Sequence, residues 1–400
     1  MLRAQQLHER VLAQLDLSRE ASDEELLELI HQVLEEKSRE EFIPLQEKAI
    51  LGKELFNAFR KLDILQELIE DETITEIMIN GTENIFIERE GRVLESDKRF
   101  LSRGKLEDVI QQMVADCNRI VNEASPIVDA RLGDGSRVNV VLPPVALNGP
   151  IVTIRKFPRD RMTMQQLLAM ESISREAADF LIRLVRAKYN IFISGGTGSG
   201  KTTFLNVLSD YIPQEERVIT IEDNAELQIG GHPNLVRLEA RNANVEGNGE
   251  ISIRDLIRTA LRMRPERIIV GEVRGKEAID MLQAFNTGHD GSLSTGHANS
   301  PQDMLARLET MILMGMELPL AAVQRQIAAG IDIMVHLGRL RDKSRKVLEI
   351  MEVLGYENGE IRLQPLFTFR ETGTANGKIK GEWVKTCEHV RKEKLLAAGY

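Results

Sequence analysis

The residues Gly195-Gly196-Thr197-Gly198-Ser199-Gly200-Lys201-Thr202-Thr203 carry the clearest chemistry in this 400-residue chain. They follow the apolar Ile191-Phe192-Ile193 and lead into Phe204-Leu205-Asn206-Val207-Leu208, so the order reads strand, glycine loop, helix. That is the G-x-x-x-x-G-K-[ST] phosphate-binding pattern in the context it requires. A backbone that curls around an anion with its N–H groups inward leaves no room for side chains, hence the glycines. The helix that follows points its positive end at the same anion. On this reading Gly196, Thr197, Gly198, Ser199, Gly200, Lys201, Thr202 and Thr203 hold a nucleotide. Lys201 reaches its β- and γ-phosphates and the Thr202 hydroxyl holds Mg²⁺. The competing reading is a glycine-rich turn with no ligand. Four fixed positions make a chance match in a chain of this length roughly a one-in-a-hundred event at ordinary glycine content.

A phosphate loop alone indicates nucleotide, not hydrolysis. Hydrolysis needs a metal, a group that orients water, and positive charge on the departing phosphate. Arg267-Ile268-Ile269-Val270-Gly271-Glu272 is an apolar strand ending in a carboxylate, with Gly271 where many such ATPases carry aspartate. Arg217-Val218-Ile219-Thr220-Ile221-Glu222-Asp223 is a second. Glu272 is the stronger catalytic candidate, whereas Glu222 reads equally as a helix cap. His289 and His297 flank one short strand among glycines and hydroxyls, a setting suited to sensing a γ-phosphate. No cysteine or third histidine clusters with them, so they do not read as a metal site.

The elements that must position these groups follow from periodicity. Residues 1 to about 70 read as helices only. Ser22-Asp23-Glu24-Glu25 is a capping-box start, Leu26, Leu27, Ile30, Val33 and Leu34 share one face, and Leu51, Leu55, Phe59, Leu62 and Leu65 form a later stripe. From about 72 the period becomes two. Residues 75–79 and 85–88 flank Asn80-Gly81, a strand–turn–strand signal. A helix over 106–118 follows, then strands over 127–131, 137–142 and 151–157. These make an α+β domain over 71–157. Residues 158–172 read as a linker in which Thr163 starts a short helix. From 173 to 400, strands over 217–221, 268–270 and 293–295 alternate with helices over 254–263, 276–286 and 302–311. That alternation predicts an α/β domain with a mostly parallel sheet and helices on both faces. After about 338 the chain returns to strands, 347–353 and 361–367, and ends in a mixed-charge tail. Arg254, Arg258 and Arg262, four residues apart, read either as a solvated face or as donors to a neighbouring site.

Composition narrows the partners. The net charge of −10 and 4% aromatic content argue against nucleic acid as the main ligand, because phosphate backbones demand a basic surface and bases a stacking platform. Residues 1–40 hold ten acids against five bases, a solvated helical face or a docking module. Only Cys117 and Cys387 occur, so there is no disulfide framework or four-cysteine zinc site. Cys117 continues the stripe of Leu106, Val109, Ile110 and Met113 and is expected to be buried. No apolar run is long enough to span a bilayer, and the start lacks the apolar core of a secretory signal. A cytoplasmic location is expected, with any membrane role peripheral.

The glycine loop, Thr220-Ile221-Glu222-Asp223, the segment Arg264 to Arg274 and the two-histidine segment 287–300 together resemble the secretion/pilus-assembly ATPase superfamily, whose four blocks are called Walker A, Asp box, Walker B and His box. Ala260 to Pro265, His297-Ala298-Asn299-Ser300-Pro301 and Glu76-Ile77-Met78-Ile79-Asn80-Gly81 are most similar to the CpaF-type ATPase of tight-adherence (Tad/Flp) pili. The similarity runs from about 70 to 370. It implies a RecA-like P-loop ATPase domain preceded by a smaller α+β sensing domain, with residues 1–70 as a helical extension of a kind this branch often carries. It implies a homohexameric motor that hydrolyses ATP with Mg²⁺ and drives pilus assembly, or also retraction, through inner-membrane platform proteins. It places the chain on the cytoplasmic face of that membrane, with no direct nucleic-acid partner. Glu272 matches the catalytic glutamate and Glu222 the supporting one. Arg137 and Arg155 match arginines of the sensing domain that contact phosphate, although surface arginines on strands remain the plain reading. Asn224 stands where relatives outside this branch often have proline. The conjugation ATPase of type IV secretion shares fold and sites but normally lacks the long extension. A type II secretion motor generally carries a four-cysteine zinc insertion. A nucleic-acid translocase and a nucleotide-sensing scaffold without turnover are the alternatives from other classes.

Overall fold

Ser22 starts its helix as the sequence suggests. Its hydroxyl accepts from Glu25 N at 3.2 Å while the Glu25 carboxylate accepts from Ser22 N at 2.9 Å, two otherwise unsatisfied amides met reciprocally. In this computed structural model, which describes residues 2–16, 19, 21–89, 91–157, 161–241 and 249–400, the chain divides into two units, Met1–Asp160 and Arg161–Tyr400.

In the first unit α1 (Leu2–Gln14), α2 (Asp23–Glu40) and α3 (Leu45–Arg60) share a core of Leu7, Val11, Leu26, Ile30, Val33, Leu34, Leu51 and Leu55. Leu27 is exposed. It sits one position, and so about 100°, off the stripe that begins at Leu26. The predicted stripe from Leu51 to Leu65 is broken. Asp63 has φ of +52°, and α4 (Leu65–Glu70) starts afresh, turning Leu65 and Leu68 into a different core. That core lies under a six-stranded sheet built from β1 (Ile74–Asn80), β2 (Asn84–Arg89), β3 (Arg92–Glu95), β4 (Ile127–Arg131), β5 (Arg137–Val141) and β6 (Ile151–Arg155), in the order β3-β2-β1-β6-β5-β4. All neighbours are antiparallel. Alternate residues Ile77, Ile79, Val138, Val140, Val152 and Ile154 face inward onto Leu106, Val109, Ile110 and Met113 of α5 (Arg103–Asp116), the period-2 pattern of a half-buried sheet. Cys117 ends α5 half-buried rather than buried, its thiol donating to Arg131 O at 3.0 Å. The helix stops there, so the stripe never carries it into the core.

The second unit is built on nine strands. The parallel part comprises β7 (Ile191–Gly195), β8 (Val218–Glu222), β9 (Leu235–Glu239), β10 (Arg267–Val270), β11 (Leu293–His297) and β12 (Ile333–Arg339). The antiparallel extension comprises β13 (Arg345–Glu357), β14 (Glu360–Ala375) and β15 (Lys378–Lys385). The order is β15-β14-β13-β12-β7-β11-β10-β8-β9. Strands β7, β8 and β10 are buried along their whole length, which is why they read as continuous apolar runs. One face is covered by α6 (Met164–Ala169), α7 (Arg175–Arg186) and α8 (Lys201–Ser209). The other is covered by α9 (Ile253–Ala260), α10 (Ala278–Asn286), α11 (Pro301–Gly315) and α12 (Leu320–Gly330). A short α13 (Glu393–Ala397) closes the chain. Met164 and Leu167, in the segment expected to be a linker, are buried in the core of this unit.

Candidate active site

The phosphate loop spans the end of β7 and the start of α8. Gly195 cannot be replaced without moving backbone, since a Cβ there would come within 2.4 Å of Leu337 O. Gly200, at φ of +92°, is the left-handed residue that turns the loop into α8. Lys201 is 6% exposed. Its ammonium donates to Gly195 O and Gly196 O, each at 3.1 Å, and to His297 Nδ1 at 3.2 Å.

Parallel registration brings the remaining groups to the same sheet end. His297 pairs with Gly195 across β11 and β7. Glu272 follows β10 by two residues. Its Oε1 lies 3.0 Å from His297 Nε2 and its Oε2 3.2 Å from Arg274 Nη2. Accepting from Lys201 requires Nδ1 of His297 to be unprotonated, which leaves the ring proton on Nε2, facing Glu272. Burial, reinforced by the Lys201 charge, lowers the His297 pKa against the opposing pull of Glu272, so the ring is neutral near pH 7. Glu272 Oε1 is buried; its close contact with His297 Nε2 is not aligned as a hydrogen bond, and among the described residues it makes no other. A buried acceptor left open costs free energy, and an attacking water is a partner that would satisfy it.

Glu222 is 3% exposed at the end of β8. Its Oε2 accepts from the amides of Glu226 and Leu227, both at 2.7 Å. Burial outweighs those two bonds and pushes its pKa up to about 7. A Cβ on Gly271 would lie 3.0 Å from Glu222 Cγ. Glu222 thus packs against Gly271, the position directly after β10 where many such ATPases carry aspartate. Thr202 donates its hydroxyl to Glu226 Oε2 at 3.2 Å. Sequence reading missed Glu226. The signal was present, a carboxylate four residues after Glu222, but only folding the turn back over α8 brings it to Thr202.

Among the described residues no group of three or more His, Cys, Asp or Glu has the geometry of a metal cage. That donor set nonetheless fits Mg²⁺, which is commonly held by one or two protein oxygens and the substrate's phosphates rather than by an all-protein shell. Thr202 Oγ1 beside the Glu226 carboxylate supplies such oxygens.

Not every expected residue joins the cluster. His289 lies before β11, at the opposite strand end from His297, and its Nδ1 is 3.2 Å from Ala284 O at the close of α10. Arg254 and Arg258 form ion pairs with the buried Asp280 of α10 at 2.7 and 3.0 Å, which ties α9 to α10. Arg262 lies beyond the end of α9 and is exposed. Arg137 and Arg155, in the first unit, are direct cross-strand partners on β5 and β6, on the face away from α5. Arg131 lies opposite Arg137 on β4. The three thus form one cross-strand row on that face.

The family described as Type II/IV secretion system protein matches residues 59–387. A putative conjugal transfer protein of Mycobacterium tuberculosis is 36% identical over 305 residues, covering 75% of this chain and 86% of that one. The type IV secretion system protein VirB11 of Brucella suis is 32% identical over 331 residues, covering 75% and 90%. Among solved structures, the pilus retraction motor PilT with bound ADP superposes at a TM-score of 0.51 with 22% identity, covering 76% of this chain and 81% of that one. The Legionella pneumophila ATPase DotB gives 0.51 and 22%, covering 72% and 79%. At that identity the likeness is one of fold, and the fold is the RecA-like one of VirB11/PilT-type ATPases.

Proposed function

Because the chain belongs to the Type II/IV secretion system protein family, as an ATPase of the VirB11/PilT type, we propose that it is a homohexameric motor hydrolysing ATP to assemble, or also retract, a Tad/Flp-type pilus. The observation that carries the hydrolytic part is the contact chain Lys201–His297–Glu272, which joins the phosphate loop to a carboxylate whose buried Oε1 makes no aligned hydrogen bond. In this reading the loop amides and Lys201 hold the β- and γ-phosphates. Glu272 orients water and accepts its proton as the bond from the γ-phosphorus to ADP breaks. His297, neutral between Lys201 and Glu272, senses whether the γ-phosphate is present. Thr202, with Glu226 alongside, would hold Mg²⁺, which would supply positive charge to the phosphate oxygens. Glu222 supports the site from β8. Arg137 and Arg155 supply bidentate phosphate contacts. His289, held at the far strand end beside Ala284 O, takes no part in this reading.

The pilus assignment rests on helices α1 to α3, which precede all but the first two residues of the family match. An inner-membrane platform protein is the proposed partner and its cytoplasmic face the proposed location. Among the described residues no helix is long and apolar enough to cross a membrane. The second reading, a type IV secretion ATPase powering export, is favoured by the relatives named for conjugal transfer and VirB11. Mass measurement of the purified chain with and without a nonhydrolysable ATP analogue, paired with phosphate release, tests the motor. A hexamer with turnover is expected. A nucleotide-bound monomer without phosphate release would sink it.

A further inference from the structure

The groups assigned so far grip the phosphate end of a nucleotide; none of them meets the base. The hairpin joining β12 to β13 carries Arg339 and Arg345, directly opposed in the strand register. Both are exposed and both reach the phosphate loop. Arg345 Nε donates to Gly198 O at 2.8 Å, and its Cδ is 3.5 Å from where a Cβ on Gly200 would stand. Arg339 Nη1 is 3.8 Å from the corresponding point on Gly198. Among the described residues Arg345 has no carboxylate partner; it bonds instead to that loop carbonyl. Arg341, on the same hairpin, is by contrast paired with Glu371.

Three features say what such a guanidinium meets. A phosphate loop turns its amides toward the anion and its carbonyls away, so a side chain fixed to Gly198 O lies outside the phosphate nest. The sheet order puts β11 and β10, with His297 and Glu272, on one side of β7 and β12 on the other. A triphosphate whose γ-end is drawn toward β11 therefore leads its nucleoside toward β12 and this hairpin. The base of the hairpin is tied to the turn after α6, with Val347 N donating to Ser172 O at 2.8 Å and Lys346 Nζ to Glu171 O at 2.6 Å. That leaves the arginine end anchored beside the loop. Resting on the ATP-binding reading above, we infer that Arg345, with Arg339 opposite, walls the nucleoside end of the site. The Arg345 guanidinium stacks its planar face on the adenine ring while Nε stays on the Gly198 carbonyl. A planar, weakly hydrated cation is suited to a purine face in a way an ammonium is not.

The test compares ATP with inorganic tripolyphosphate, which offers the phosphates without the nucleoside, by titration calorimetry on the full chain. Arg345→Ala is expected to weaken ATP about tenfold while leaving tripolyphosphate within about twofold, and Arg345→Lys to restore little of the loss. Arg341→Ala should change neither constant. Equal weakening of both ligands would show Arg345 acting only through the loop and would overturn the assignment. So would unchanged ATP binding, full rescue by lysine, or the same loss in Arg341→Ala. Wild-type protein that binds neither ligand would instead sink the nucleotide reading itself. Lys201→Ala, expected to lose both ligands together, separates the two failures.

Discussion

The two ends of the parallel sheet both hold buried polar groups, and they treat them oppositely. At the amino-terminal end of β10, Arg267 is fully buried. It pairs with the Glu216 carboxylate through two nitrogens and donates to Val185 O at 2.6 Å and Gly291 O at 3.2 Å. Beside it Asn190 donates to Phe285 O and Gly330 O and accepts from the amides of Gly291 and Ser292. At the carboxyl-terminal end Glu272 Oε1 and Ser199 Oγ are buried with no hydrogen bond among the described residues, and Glu222 keeps its proton to about pH 7. A saturated network rigidifies. An unsaturated one stores a cost that a ligand relieves. The first end is built to hold the sheet and the second to bind something.

That contrast breaks most sharply by substitution. Lys201→Ala should remove turnover altogether, with a thermal midpoint near that of the parent; melting of the variant in place of lost activity would put Lys201 on the structural side. Glu272→Gln should lower kcat by about 10³-fold yet retain ATP, read by filter binding beside phosphate release. Wild-type turnover in that variant would remove Glu272 from the mechanism. At the other end the loss should be of stability. Arg267→Ala strands the Glu216 charge and should cost about 3–5 kcal/mol in denaturant unfolding, with the nucleotide affinity of the folded fraction preserved.

Glu222→Gln sharpens the comparison by acting in the opposite direction. Because the folded pKa is raised from 4.5 to about 7, the folded state binds the extra proton. Wild-type stability therefore declines as pH rises across that window and is lowest above it. The amide should stabilise the apo protein by roughly 1–3 kcal/mol at pH 8 and by little at pH 4.5, while turnover falls. A stability difference from wild type that is the same at both pH values would mean that folding does not raise the Glu222 pKa.

How much of this was legible in the chain depends on how local each feature is. The loop at 195–203, the Ser22 capping box and the apolar runs of β7, β8 and β10 are visible because adjacent residues dictate their conformation. Strands β3, β9, β12 and β15 were not placed from the sequence. The half-exposed alternation of β9 and the charged residues of β15 carry little apolar signal, and only Ile331 and Asp332 separate β12 from α12. Leu65 looked like the end of one helical stripe because nothing in its spacing reveals the left-handed backbone at Asp63.

By itself the sequence determined a phosphate-binding loop, the sheet that must carry it, and the carboxylates at strand ends that make hydrolysis chemically reasonable, since each depends on contiguous residues obeying backbone and burial rules. The tertiary structure alone decided which distant groups meet. Strand register set His297 beside Lys201 and left His289 at the far end, the turn after β8 folded Glu226 back to Thr202, and a hairpin some 140 residues on brought Arg345 to Gly198. Those encounters depend on how strands are ordered and paired across the whole sheet, which no local stretch of chain encodes.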